Sequence, residues 1–149
     1  MTVGTEPVVR EVLIAASPET VFPFFTEPDK MTRWLCSEAT LDPRPGGICH
    51  QTHAGSEEYT DGPYYMRGEY VEVSPPSRVV FTWGFTDPTL NNPPGTSTVE
   101  VTLEPENGGT RLRLVHSGLP ERGAEDADKG WKQLLEELAI VAAGGESAA

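Results

Sequence analysis

Thr98-Val99-Glu100-Val101-Thr102-Leu103-Glu104 is the stretch that decides the fold of this chain. Apolar and polar residues alternate, so Val99, Val101 and Leu103 share a buried face while Glu100 and Glu104 meet water, as in an antiparallel sheet covered on one side. Asn107-Gly108-Gly109 then supplies a turn, and residues 110–116 are expected to pair back on the first run. Alternation puts Leu112, Leu114 and His116 on one face of this second strand and Arg111 and Arg113 on the other. His116 therefore points where the leucines point.

Outward from this hairpin, residues 36–115 read as short runs with a period near two, broken by Pro43-Arg44-Pro45-Gly46-Gly47 and Ser74-Pro75-Pro76. That is the pattern of an antiparallel meander. Upstream, residues 8–15 are rich in aliphatic and β-branched side chains and stop at Ser17-Pro18-Glu19, where a serine cap, a proline and an acid start a helix. This helix carries Val21, Phe22, Phe24 and Phe25 and is short, because Pro28 opens a second turn ahead of residues 29–35. Downstream, residues 124–143 place Trp131, Leu134, Leu135, Leu138, Val141 and Ala142 at offsets of three and four, one stripe of an amphipathic helix ended by Gly144-Gly145. The expectation is an α+β domain over residues 8–143: a curved antiparallel sheet, two short helices and a long C-terminal helix, with residues 1–7 and 144–149 flexible.

Composition bounds the partners. A chain of 149 residues with 37% hydrophobic content is the size of one ordinary domain. Against 23 acidic residues stand 11 lysines and arginines, a formal charge of −12 that repels nucleic acid and anionic membrane surfaces. Cys36 and Cys49 fit neither a redox pair nor half a zinc knuckle, so no disulfide framework is expected. No basic start leads into an apolar leader, and the apolar run at 138–143 is too short to span a bilayer, so the expectation is a cytoplasmic chain without membrane insertion. No phosphate-binding glycine loop, nucleophile elbow or paired-acid motif is present, and no cofactor is expected.

A sheet curved around one helix leaves a gap between them, and apolar gaps are where hydrophobic ligands bind. Its expected lining is Trp34, Phe81, Trp83, Val101, Leu112, Leu114, Trp131, Leu135 and Leu138, with Tyr65, Tyr70 and His116 as polar contacts. The competing reading is that these residues fill the core. His116 is a candidate for proton transfer, with a tyrosine as the alternative. Cys49 and His50 are strand neighbours that point to opposite faces, which leaves Cys49 and His53 as two ligands at best, and no metal site is expected. Glu57-Glu58 with Asp61 reads as a solvated connection, and the loop over residues 87–95 as the entrance to the gap.

The order strand, two short helices, meander and long helix, with Ser17-Pro18-Glu19-Thr20-Val21-Phe22 near the start and Gly130-Trp131 in the last helix, resembles the START/Bet v 1-like (SRPBCC) superfamily. A narrower likeness, to the branch related to the activator of Hsp90 ATPase, rests on four stretches. They are Trp34-Leu35, Pro45-Gly46-Gly47, the run from Gly68-Glu69-Tyr70 through Ser74-Pro75-Pro76 to Phe81-Thr82-Trp83, and Leu114-Val115-His116-Ser117-Gly118-Leu119. The resemblance implies a helix-grip fold enclosing a cavity. Its members include hydrophobic-ligand carriers, aromatic polyketide cyclases, co-chaperones and proteins that protect antibiotic producers from enediynes, so fold alone does not choose among them. It implies first a non-catalytic protein that binds, sequesters or transports a small hydrophobic or aromatic molecule such as a polyketide-type secondary metabolite, with antibiotic self-resistance as one form. The alternatives are a cyclase or dehydratase-like enzyme and an Hsp90-type co-chaperone module.

Overall fold

The computed structural model describes residues 7–54, 63–86, 93–119 and 121–144, with the backbone alone over 121–126. The terminal segments beyond Pro7 and Gly144, the acidic Glu57-Glu58 and Asp61 connection, and most of the 87–95 loop lie outside the described residues.

Strand β1 (Val8–Ile14) leads to Ser17, whose Oγ accepts the backbone N–H of Thr20 at 3.3 Å and caps α1 (Pro18–Val21). Pro18 sits at the helix start and Glu19 in its first turn, as the sequence predicts. The chain tightens into a 3-10 turn over Phe22–Phe25 and then forms α2 (Pro28–Met31). Pro23 has no N–H to continue the α-helical ladder, which shortens the first helix. The second is shorter than the span of 29–35 predicted, because Trp34 and Leu35 both turn back onto the Met31 carbonyl, at 3.2 and 3.0 Å. Val21, Phe24, Phe25, Met31 and Leu35 are buried by these turns.

The meander follows as β2 (Glu38–Leu41), β3 (Ile48–His53), β4 (Tyr64–Ser74), β5 (Arg78–Trp83), β6 (Ser97–Glu106) and β7 (Gly109–Ser117). All neighbours are antiparallel in one seven-stranded sheet ordered β1-β7-β6-β5-β4-β3-β2. Glu106 pairs with Gly109, and the two turn residues between them take positive φ, 50° at Asn107 and 81° at Gly108, which is the backbone a two-residue hairpin on twisted strands requires. Val99, Val101, Leu103, Leu112, Leu114 and His116 are buried, on the face that alternation assigned to them.

Two features of β4 bend the sheet. Its register slips between Tyr70 and Glu72, and Gly68 lies so close to β5 that a Cβ there would collide with the Thr82 carbonyl oxygen. Opposite this approach the side chain of Thr82 takes over from the backbone, accepting the N–H of Glu69 at 3.0 Å. The bend carries β3 and β4 around the inner face.

Helix α3 (Glu121–Ala142) lies across that face and buries Trp131, Leu135, Leu138, Val141 and Ala142. It starts three residues ahead of the predicted 124, and Gly144 closes it at φ 93°. Outside the core, Arg10 on β1 clamps Asp128 on α3 through two parallel bonds of 2.8 and 2.9 Å. Among the described residues no helix is long and apolar enough to cross a membrane.

Two glycine substitutions test this account with opposite signs. Gly68→Ala drives a methyl group into the Thr82 carbonyl and is expected to destabilise by about 1–3 kcal/mol. Gly130→Ala adds a methyl to a helix position where a Cβ meets nothing within 4 Å and is expected to stabilise by about 0.5–1 kcal/mol. Urea unfolding of the two variants beside the parent reads both.

Candidate functional site

Four strands and α3 bring aromatic rings to one end of the interior. On β3 the inward positions are Cys49, Gln51 and His53, buried to 0, 1 and 7% residual exposure. On β4 they are Tyr64, Met66 and Tyr70, and on β5 Phe81 and Trp83, with Phe85 just beyond the strand. Trp83 is the hub. Its ring centroid lies 5.2 Å from Trp131, 5.7 Å from His116, and 5.8 Å from both His53 and Phe85. Tyr64 stacks on His53 at 5.1 Å and 18°. Phe81, 6.3 Å from Trp83 and 6.2 Å from Tyr70, continues the aromatic path into the interior.

The polar atoms here are wired in sequence. An indole nitrogen only donates, so the 3.0 Å contact from Trp131 Nε1 to His116 Nδ1 leaves Nδ1 as acceptor and puts the ring proton on Nε2. Nε2–H then donates to Ser97 Oγ at 3.0 Å, and the Ser97 hydroxyl donates to the Trp83 carbonyl at 2.9 Å. Burial pushes the His116 pKa down to about 3, so the imidazole is neutral and both nitrogens are spent. A residue so occupied positions α3 and has no nitrogen free to move a proton for a substrate.

A second line runs along β3. His53 Nε2 meets Gln51 Oε1 at 2.8 Å, and the Gln51 amide nitrogen faces Cys49 Sγ at 3.8 Å. The Gln51 carbonyl oxygen accepts, so His53 carries its proton on Nε2. Burial lowers the His53 pKa to about 4 and raises the thiols of Cys36 and Cys49 to about 12. Both cysteines thus stay protonated at neutral pH, which opposes nucleophilic or metal-binding use. Cys49 and His53 do share a face, and His50 takes the other. Among the described residues no group of three or more His, Cys, Asp or Glu is placed to hold a metal ion.

The expected lining divides. Trp83, His116 and Trp131 touch one another, and Phe81 and Tyr70 extend from them. Tyr70, Phe81, Val101, Leu112, Leu114 and Leu138 have 0% exposure and Leu135 has 2%, and they belong to one buried cluster. Trp34 stacks edge-on against Phe25 at 5.2 Å and donates its indole N–H to the Phe24 carbonyl, within the helical segment. Tyr65 requires correction. It is 40% exposed on the outer face, under the guanidinium of Arg67 at 5.3 Å, because it stands five residues from the inward Tyr70 and an odd spacing reverses the face. Its neighbour Tyr64 takes the inward place. His53, Tyr64, Phe85 and Ser97 were not among the expected lining; the phase of β4 pointed to Tyr64, and the Cys49-Gln51-His53 alternation to His53.

Both buried histidines make stability depend on pH. Their folded pKa values of about 4 and about 3 lie below the value near 6.5 of an unfolded chain, so the unfolded state binds more protons between those limits and stability falls as pH drops through 6.5. The expected loss between about pH 7 and pH 5 is roughly 2 kcal/mol for each histidine. Urea melts across that range measure it, and His116→Gln removes one share of the slope.

The sequence pattern of the activator of Hsp90 ATPase homolog 1-like protein family matches residues 15–143. The human activator of 90 kDa heat shock protein ATPase homolog 1 is 27% identical over 118 residues; the match takes in 78% of this chain and 31% of that protein, so the chain spans about a third of its relative's length. Among solved structures, protein CV1439 of Chromobacterium violaceum superposes with a TM-score of 0.80 at 26% identity, covering 93% of this chain and 97% of the other. Protein MLL2253 of Mesorhizobium loti gives 0.73 at 27% identity, with 89% and 93% covered. With the family's pattern matching residues 15–143, well over half of the chain, the chain belongs to the activator of Hsp90 ATPase homolog 1-like family.

Proposed function

We propose that this chain binds a small hydrophobic or aromatic molecule at the ring cluster between sheet and helix. The observation that carries the reading is the convergence of His53, Tyr64, Trp83, Phe85, His116 and Trp131 from β3, β4, β5, β7 and α3 onto one end of the interior. The deeper residues have at most 2% exposure, whereas Trp83, His53 and Phe85 keep 6, 7 and 8%, so a ligand enters at the ring cluster and seats against it. Flat aromatic faces suit flat apolar guests, since offset and edge-on ring contacts add to the gain from burial. Sequestration or transport fits better than turnover because the neutral, fully bonded His116 offers no acid or base. Polyketide-type metabolites, including reactive antibiotics against which such a protein protects its producer, are guests of this shape.

Titration with naphthalene-sized aromatics, followed by NMR shifts, tests the reading. Shifts on the side chains of Trp83, His116 and Trp131 are expected; shifts confined to the outer face of the sheet, or none, refute it. A second reading, contact with an Hsp90-type ATPase, is favoured by the 27% identity with the human activator. Stimulation of such an ATPase by this chain, lost when the exposed outer-face residues Leu13 and Val71 are changed to serine, is the outcome that would support it.

A further inference from the structure

Two ring nitrogens in the cluster have no hydrogen-bond partner among the described residues. Both nitrogens of His116, the indole nitrogen of Trp131 and Nε2 of His53 are hydrogen-bonded. Nδ1 of His53 and Nε1 of Trp83 are these two, although both residues are more than nine-tenths buried, at 7 and 6% exposure. No sealed side-chain nitrogen or oxygen among the described residues lacks a partner, so these two open onto reachable space at the ring cluster. They belong to rings 5.8 Å apart and set edge to face. Water can reach them there, so a guest that fills the space must replace those bonds or leave the two groups unmet at a cost in free energy.

The two atoms are complementary in kind. The indole N–H of Trp83 only donates. With the His53 proton held on Nε2 by Gln51, Nδ1 presents a lone pair and only accepts. The rings around them are uncharged, and a charged guest seated there would lose its hydration without an opposite charge in return.

We infer that the guest of this site is a neutral planar aromatic bearing a carbonyl-type acceptor and a hydroxyl-type donor, the first held by Trp83 Nε1–H and the second by His53 Nδ1. This rests on the ligand-binding reading and narrows it from any flat apolar molecule to phenol- and ketone-bearing ones, and it assigns specificity to Trp83 and His53 in place of His116. The shared apolar surface supplies affinity. The nitrogen pair supplies selection, because a guest without the matching groups leaves them buried and unmet.

Three probes on one scaffold separate the contributions: naphthalene, 2-naphthol and 2-acetylnaphthalene, with dissociation constants from tryptophan fluorescence or calorimetry. Each polar probe is expected to bind the unaltered protein about five- to tenfold more tightly than naphthalene. Trp83→Phe is expected to remove that advantage for 2-acetylnaphthalene and keep it for 2-naphthol. The double change Gln51→Leu with His53→Phe, which leaves no amide oxygen orphaned, is expected to do the reverse. Should either variant fail to fold, the unaltered protein still decides: the Trp83 indole N–H resonance moves downfield with 2-acetylnaphthalene and not with naphthalene. Equal affinity for all three probes with no such movement overturns the inference and leaves the ligand-binding reading standing. Failure of all three to bind overturns both.

Discussion

The hydrogen bond from the Trp131 indole to His116 Nδ1 is the contact on which the interior turns. It joins α3 to β7 in a region where neither group reaches water, so each would be left unmet without the other. It also fixes a tautomer. Once Nδ1 accepts, Nε2 must donate, Ser97 must receive it, and the Ser97 proton goes to the Trp83 carbonyl at the end of β5. One choice of proton position thereby sets helix, β7, β6 and β5 relative to one another and presents the Trp83 ring to the open end. Apolar packing of Leu135, Leu138 and Val141 supplies the larger share of the attraction, but it is non-directional, and the wired histidine gives the docking its register.

The outer face works differently. Arg111 lies between Glu11 and Glu106, and Arg78 between Glu72 and Glu100, in ladders across β1, β7, β6, β5 and β4. The side chains of these groups are 31–44% exposed, and pairs of that kind add little to stability. Their consequence is for charge. Arginines already flanked by two carboxylates each leave the acidic excess of the chain uncompensated, and the sheet exterior repels anions while the interior stays neutral.

Local structure was legible in the sequence because it depends on neighbours in the chain. The Ser17-Pro18-Glu19 start, the Asn107-Gly108 turn, the β6 and β7 alternation and the α3 stripe all rest on interactions within a few residues, and all stand in the structure. The site was legible only in part, because it is made of meetings. The partners of His116 come from 19 residues before it and 15 after. Phe85 keeps the period of two set by Phe81 and Trp83 although it lies past Gly84 outside β5, and a bridge to Met66 continues the pairing that holds it inward. Tyr65 and Tyr64 differ by one step of strand phase, and that phase is set by pairing with β3 and by the slip beyond Tyr70, neither of which is written in the tyrosines themselves.

The closeness of Trp83 and Trp131 has an optical consequence. Two indoles 5.2 Å apart with planes inclined by 57° do not absorb independently; their transition dipoles mix, and mixing at a fixed oblique angle is chiral. One indole rides on the sheet and the other on the helix, so the ultraviolet circular dichroism of this pair reports the seating of α3 directly. Trp34, whose ring contact is with Phe25, stands apart from that exchange. The protein thus carries its own spectroscopic ruler across the space where a guest would sit.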